Sequence, residues 1–261
     1  MPDLSKRQRR FIYNCRDYWE LIQFARRRIV SEQDYFSFEK YQGTLLVRYL
    51  RNMGIAINQV ESLDVGCGFG GYSTALREAG SNTIGLDLDS VRISSLPLKV
   101  SGDAQWMPFT SECFSLVICS SLIEHVTDPN KLLLEIDRIL QPKGYLYLSF
   151  PPFYSPTGGH QFAPFHYFGE QLAIYVFMHR KKYLKQEWVQ RYISSTPKSY
   201  NLSFGSWGLY RRTIIWAKNE IKKYPWRVID CSARYSPLNP TSIPILSEFL
   251  TWHVQFLIQK L

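Results

Sequence analysis

The chain has 261 residues, 45% of them apolar and 15% aromatic, and a formal net charge of +9. This is enough for one α/β domain with additions around a real core, and no apolar run approaches the roughly eighteen residues of a membrane-spanning helix. The positive balance points to an anionic partner: a phosphorylated substrate, a nucleic acid, or a membrane surface touched peripherally.

Cys15, Cys67, Cys113, Cys119 and Cys231 form no C-x-x-C pair. The stretch from Met1 to Arg10 lacks an apolar leader core. The expected location is therefore the reducing cytoplasm. Residues 5–30 read as a basic helix, with Phe11, Tyr18, Leu21, Ile22, Phe24, Ala25 and Ile29 among Arg and Lys. Such a helix suits a cap over a main domain, or contact with an anionic surface. A second helix is expected over 37–52, ended by Met53-Gly54. Residues 1–54 are thus expected to be a helical cap and 55–261 the main domain.

An apolar strand, Val60 to Val65, runs into Gly66, Gly68, Gly70 and Gly71, and a helix-competent run follows. Glycines there let the backbone turn sharply and approach a ligand. The helix start behind them offers unpaired N–H groups and a positive dipole end. Asp64 stands at the strand tip, where it would oppose a pyrophosphate but suit an ammonium. A second strand over 82–89 carries Asp87, placed to accept both hydroxyls of a ribose. A short third strand, 99–104, ends at Asp103 and Ala104. The fourth, 113–121, is continuously apolar, as buried parallel strands are, and leads into Glu124-His-Val126. The run 131–140 is an amphipathic helix, 141–144 a stop and turn, and 145–150 a fifth strand.

Leu63-Asp-Val-Gly-Cys-Gly-Phe-Gly70 closely resembles the first motif of class I S-adenosylmethionine-dependent methyltransferases, and the span 60–150 is similar to that family's core. The resemblance implies S-adenosylmethionine as cofactor. It assigns Asp64, Gly66, Cys67, Gly68 and Gly70 to the methionine end, Asp87 with Leu88 to the ribose region, and Asp103 with Ala104 to the adenine. Ser120, after the fourth strand, is expected to skirt the methionine end. The implied fold is α/β: a Rossmann-like doubly wound sheet of seven strands, the last antiparallel, with N-terminal helices and a helical insertion near 155–225.

Beyond 150, Pro151-Pro-Phe-Tyr154 resembles the Asn/Asp-Pro-Pro-Tyr box of nucleic-acid amino methyltransferases. Phe150 stands where that box needs Asn or Asp, so the likeness carries no function. The loop after it holds His160 and His166 at the carboxyl end of the fifth strand, where substrate sites form. With His125 they are the candidate general bases. No third ligand at suitable spacing accompanies the pair, so no metal is expected. Residues 226–234 read as a sixth strand. Residues 252–260 fit a last strand or a helix. The expected activity is methyl transfer, O-directed, to a small-molecule or glycan-type substrate. A nucleic-acid methyltransferase, a nicotinamide oxidoreductase and a non-catalytic cofactor-binding scaffold are the alternatives.

Overall fold

The computed structural model describes residues 13–28, 30–90, 95–179, 209–236 and 238–261. Its strands are β1 (Glu61–Val65), β2 (Asn82–Asp87), β3 (Lys99–Ser101), β4 (Phe114–Ser120), β5 (Leu140–Phe150), β6 (Trp226–Ala233) and β7 (Val254–Lys260). They form one seven-stranded sheet in the order β3-β2-β1-β4-β5-β7-β6. The first five are parallel, and β7 runs antiparallel between β5 and β6. This is the expected Rossmann-like arrangement, and it resolves residues 254–260 as strand.

Alternation along the strands divides the core between two faces. Val117, Cys119, Leu146, Leu148, Phe256 and Ile258 pack on one face. That face is covered by α4 (Pro129–Ile139) and α6 (Ile214–Ile221). Helix α4 forms where Asp128 accepts the N–H groups of Asn130 and Lys131 and Pro129 sits in the first turn. Its Leu132, Leu133, Ile136 and Ile139 are buried at helical spacing. On the other face Leu116, Ile118, Tyr147 and Leu257 meet α2 (Glu32–Asn52) and α3 (Gly71–Glu78). Helix α2 contributes Leu46, Val47, Tyr49 and Leu50 to this core, and Tyr49 donates to Asp230 of β6 at 2.8 Å.

Several boundaries differ from the sequence reading. Helix α1 spans Cys15–Arg27 and opens on a reciprocal cap between Asn14 and Asp17. The expected stretch before Tyr13 lies outside the described residues. Helix α2 starts at Glu32 because Ser31 accepts the Asp34 N–H at 3.0 Å, a polar signal ahead of the apolar period. Residues 141–144 do not end β5. They bulge inside it: Phe114 pairs with Leu140 and Leu116 next with Tyr145, while Lys143 takes φ +67°. Strand β3 is three residues long because Gly102 onward turns away. Of the expected insertion, α5 (Glu170–His179) and α6 are described, and residues 180–208 lie outside the described residues. Among the described residues no helix is long and apolar enough to cross a membrane.

Helices α2 and α3 cross closely because Gly43 carries no side chain. A Cβ there would lie 2.8 Å from the Ala75 Cβ and 3.0 Å from the Tyr72 Cα. We expect Gly43→Ala to destabilise the protein by about 1–3 kcal/mol through overpacking. The exposed neighbour variant Thr44→Ala should stay within about 0.5 kcal/mol of wild type. Urea unfolding of the two variants checks this, and equal stabilities would show that the crossing tolerates a methyl group.

Candidate functional site

Parallel strands bring successive carboxyl ends to one edge of the sheet, where loops can converge on a ligand. From β3 through β2 and β1 to β4, that edge presents Asp103, Asp87, the glycine turn after Asp64, and Ser120, in this order. The turn is shaped by Gly66, Gly68 and Gly70 at φ +70°, +56° and +83°, conformations disfavoured for residues with a Cβ. A Cβ at Gly68 would also meet the Glu39 carboxylate at 2.8 Å. The turn is tied to β2: the N–H groups of Gly66 and Cys67 donate to the Leu86 carbonyl at 2.8 and 3.0 Å.

Asp87 accepts the Gly68 N–H at 2.9 Å on one oxygen and the Asp89 N–H at 2.9 Å on the other. Both of its oxygens thus hold the turn and the start of the loop after β2. Leu88, beside it, is exposed. Asp103 accepts the Gln105 N–H at 2.8 Å, and Ala104 is buried in the same turn. Cys67 is buried under the glycine turn with Leu96.

Asp64 differs from its expected exposure to a ligand ammonium. Its side chain is 2% exposed and accepts the Ser73 hydroxyl at 2.6 Å. Burial pushes its carboxyl up to about 7, against the opposing pull of the Ser73 hydrogen bonds. Its direct service is to brace the strand–turn–helix junction from inside.

The next loops along the edge hold the histidines. Glu124 and His125 share one turn after β4. Leu122, two residues before Glu124, packs on the glycine turn, where a Cβ at Gly66 would meet it at 2.8 Å. His160 comes from the loop after β5, and its ring meets that of His125 edge-on at 5.0 Å between centroids. Its Nε2 lies 3.8 Å from Glu124 Oε1. Burial pushes the Glu124 carboxyl up to about 8, and burial together with His125 holds His160 well below the usual histidine range. His166 is not part of this cluster. It is 2% exposed, its Nε2 lies 3.1 Å from the Phe153 carbonyl oxygen, and its ring packs against Phe153 and Tyr167. It acts as a strut of the loop that carries His160.

Three groups at this edge escaped the sequence reading. Glu124 is marked in the sequence only as part of the Glu-His-Val stretch, and its convergence with His160 over thirty-five intervening residues has no local signal. Arg234, 2% exposed, follows β6. It donates to Tyr72 at 2.7 Å and to Ser120 at 3.2 Å, with its guanidinium over the Tyr235 ring. Arg212 donates to the carbonyls of Val126 and Ile123, and the Tyr210 N–H donates to the Glu124 carbonyl, so residues 210–212 clamp the turn after β4. Ser121, His160 and Tyr235 all take left-handed φ without being glycine, at +54°, +47° and +57°. Backbone strain of this kind costs about 1–3 kcal/mol per residue and concentrates at functional sites.

Residues 63–148 match the family model described as a methyltransferase domain. An uncharacterized methyltransferase of Mycobacteroides abscessus is 31% identical over 129 residues, covering 44% of this chain and 49% of that protein. One from Mycolicibacterium paratuberculosis is 25% identical over 212 residues, covering 76% and 75%. The chain thus spans about half the length of the first of these curated relatives. Among solved structures, an S-adenosylmethionine-dependent methyltransferase from Mesorhizobium loti aligns with TM-score 0.54 at 16% identity, over 81% of this chain and 95% of that one. One from Clostridium acetobutylicum aligns with TM-score 0.55 at 11% identity, over 82% and 88%. These likenesses concern the fold.

The raised Asp64 carboxyl makes a pH-dependent contribution to stability. Its carboxyl titrates near 3.8 when unperturbed and near 7 in the fold. The stability lent by the protonated group is therefore full below pH 3.8 and is lost as pH rises through about 7. We expect wild type to lose up to about 4 kcal/mol more than Asp64→Asn across that window, measured by urea unfolding at each pH. Identical pH profiles would show that this carboxyl is not raised. The glycine turn, the acidic side chains along the sheet edge and the match over 63–148 agree: that span is similar to a methyltransferase domain, set in a fold shared with S-adenosylmethionine-dependent methyltransferases of known structure.

Proposed function

We propose that the protein is a methyltransferase that moves the methyl group of S-adenosylmethionine to a hydroxyl oxygen of a small, anionic acceptor in the cytoplasm. The observation that carries the reading is the order of groups along the sheet edge. Acceptors for adenine and ribose, Asp103 and Asp87, stand on β3 and β2, and the glycine turn with Ser120 follows on β1 and β4. Next to the turn come Glu124, His125 and His160. An extended adenosine-methionine molecule laid along this edge would have its methionine end beside the histidine cluster.

The residues fit that cofactor. The left-handed glycines let the backbone approach a ligand without a Cβ in the way, Asp87 stands at the tip of β2 where a ribose would lie, and exposed Leu88 follows it. Bound S-adenosylmethionine supplies an electrophilic methyl group on a sulfonium. The protein's work is then to orient, exclude water and handle the acceptor proton. Helix α2 helps close the site: the Tyr35 ring packs on Phe69 of the glycine turn at 5.6 Å, and Glu39 lies against Gly68. This supports reading α1 and α2 as a cover. An oxygen acceptor is favoured because a neutral amine needs little help losing its proton, whereas a hydroxyl needs an acceptor such as a neutral imidazole. His160, held neutral by burial, is such a group. The net charge of +9 and five free cysteines support an anionic acceptor and a reducing compartment.

Calorimetry tests the cofactor half. S-adenosylmethionine should bind with micromolar-class affinity, roughly 7–8 kcal/mol, and Asp87→Ala should weaken it by about 1–3 kcal/mol. Tight NADH binding without any affinity for the sulfonium cofactor would overturn the reading. For the acceptor half, once an acceptor is found by a methyl-transfer screen, His160→Ala should lower turnover by about 10²–10⁴-fold with cofactor affinity unchanged. His166→Ala, in contrast, should show its effect in thermal stability. Near-wild-type turnover in both His125→Ala and His160→Ala would exclude an oxygen acceptor handled by this cluster.

A further inference from the structure

Glu124 is 1% exposed, yet neither of its carboxylate oxygens has a hydrogen-bond partner among the described residues. The Nε2 of His160 is buried and unpartnered as well. Three such atoms in one place are unusual, because an unpaired buried polar atom costs about 1–3 kcal/mol and a charged one more. They do not satisfy one another: 3.8 Å between Nε2 and Oε1 exceeds hydrogen-bond reach. Arg212 does not pair with the carboxylate, since its guanidinium donates to the carbonyls of Ile123 and Val126.

His125 completes the group. One nitrogen from each histidine and one Glu124 oxygen lie within 4.8 Å of each other. Two imidazoles and a carboxylate, converging from loops fixed by separate strands, form a donor set for a cation. The fixing is visible in the backbone. Glu124 and His125 share a turn clamped by Tyr210 and Arg212, and His160 is held at left-handed φ with its N–H on the Thr157 carbonyl.

We propose that Glu124, His125 and His160 bind a divalent first-row transition ion, with zinc as the reference case. Two imidazole donors favour such ions over magnesium or calcium, which prefer oxygen-rich sites. Bonds of about 2.1 Å around a tetrahedral centre put ligand atoms ~3.4 Å apart, so side-chain rotation within the cluster brings the three atoms into place. Three protein ligands leave a fourth position open, on the side where His160 is a quarter exposed. Through Leu122 this cluster adjoins the glycine turn. The open position would take the hydroxyl oxygen of the acceptor, where the ion would make its proton easier to release to solvent; as ligands, the histidines would then hold the ion and would not themselves take the proton. That last consequence rests on the methyl-transfer reading; binding of the ion does not.

The test uses the full chain without an affinity tag, stripped by a chelator and titrated with Co²⁺ in the absence of cofactor and acceptor. One equivalent should bind, with visible d–d absorption, and Zn²⁺ should displace it. Glu124→Gln, His125→Gln and His160→Gln should each weaken binding by roughly tenfold or more, while His179→Gln should not. Glu124→Gln removes a buried carboxyl that has no hydrogen-bond partner among the described residues, so this variant is expected to fold at least as stably as wild type, and its unfolding is measured alongside. No binding at millimolar Co²⁺ overturns the proposal, as does binding that survives all three substitutions. S-adenosylmethionine affinity, measured separately on the stripped protein, shows whether the methyltransferase reading stands or falls independently.

Discussion

The fit of α2 against the start of α3 is the contact on which the site depends. It is possible only because Gly43 and Gly71 lack side chains: a Cβ at Gly71 would run into the Lys40 backbone and Glu39. This close crossing sets where α3 begins relative to β1, and so sets the turn between them. The same helix reaches the sheet core with Tyr49 and Leu50 and the glycine turn with Tyr35 and Glu39. A displacement at the crossing would thus be transmitted to both the core and the glycine turn. Cores transmit strain in this way because they are close-packed.

Around this junction the protein buries polar groups where an apolar core would be more stable. Asp64 ties Ser73 to β1, Asp230 ties α2 to β6, and Arg234 lies among Tyr72, Tyr147 and Tyr235. The Tyr49–Asp230 and Arg234–Tyr72 bonds join elements distant in sequence. Ser121, His160 and Tyr235 add backbone strain at the same carboxyl edge. Buried polarity of this kind lowers stability, as it does where a fold is shaped for a ligand. At the opposite end of the sheet Gln59, Glu112 and Lys143 also take left-handed φ, the last within the bulge at 141–144.

Much was legible in the sequence because the information was local. The alternation of strand and helix from β1 to β5, the glycine turn, and the order of Asp64, Asp87 and Asp103 follow from short-range pattern: apolar period, turn chemistry and strand-tip carboxylates. Even so, Ser31 and Asn14 set the starts of α2 and α1 through caps that an apolar count overlooks. Gln-Pro-Lys-Gly has turn composition, whereas the pairing to β4 at Leu140 before it and at Tyr145 after it keeps it in the strand.

By itself, then, the sequence determined the fold class and the glycine turn with the acidic residues along the sheet's carboxyl edge, since each element there is specified within a few residues of itself. Only the tertiary structure decided which polar groups meet. Asp64 turned out to be sealed inside the junction because Ser73, one turn into α3, reaches back to it. His166 became a strut because its ring is enclosed by Phe153 and Tyr167. Glu124 and His160, equivalent to many other loop residues in the sequence, became neighbours because β4 and β5 are adjacent parallel strands whose following loops leave the same edge. Proximity of that kind depends on sheet order and loop path, which no local pattern encodes.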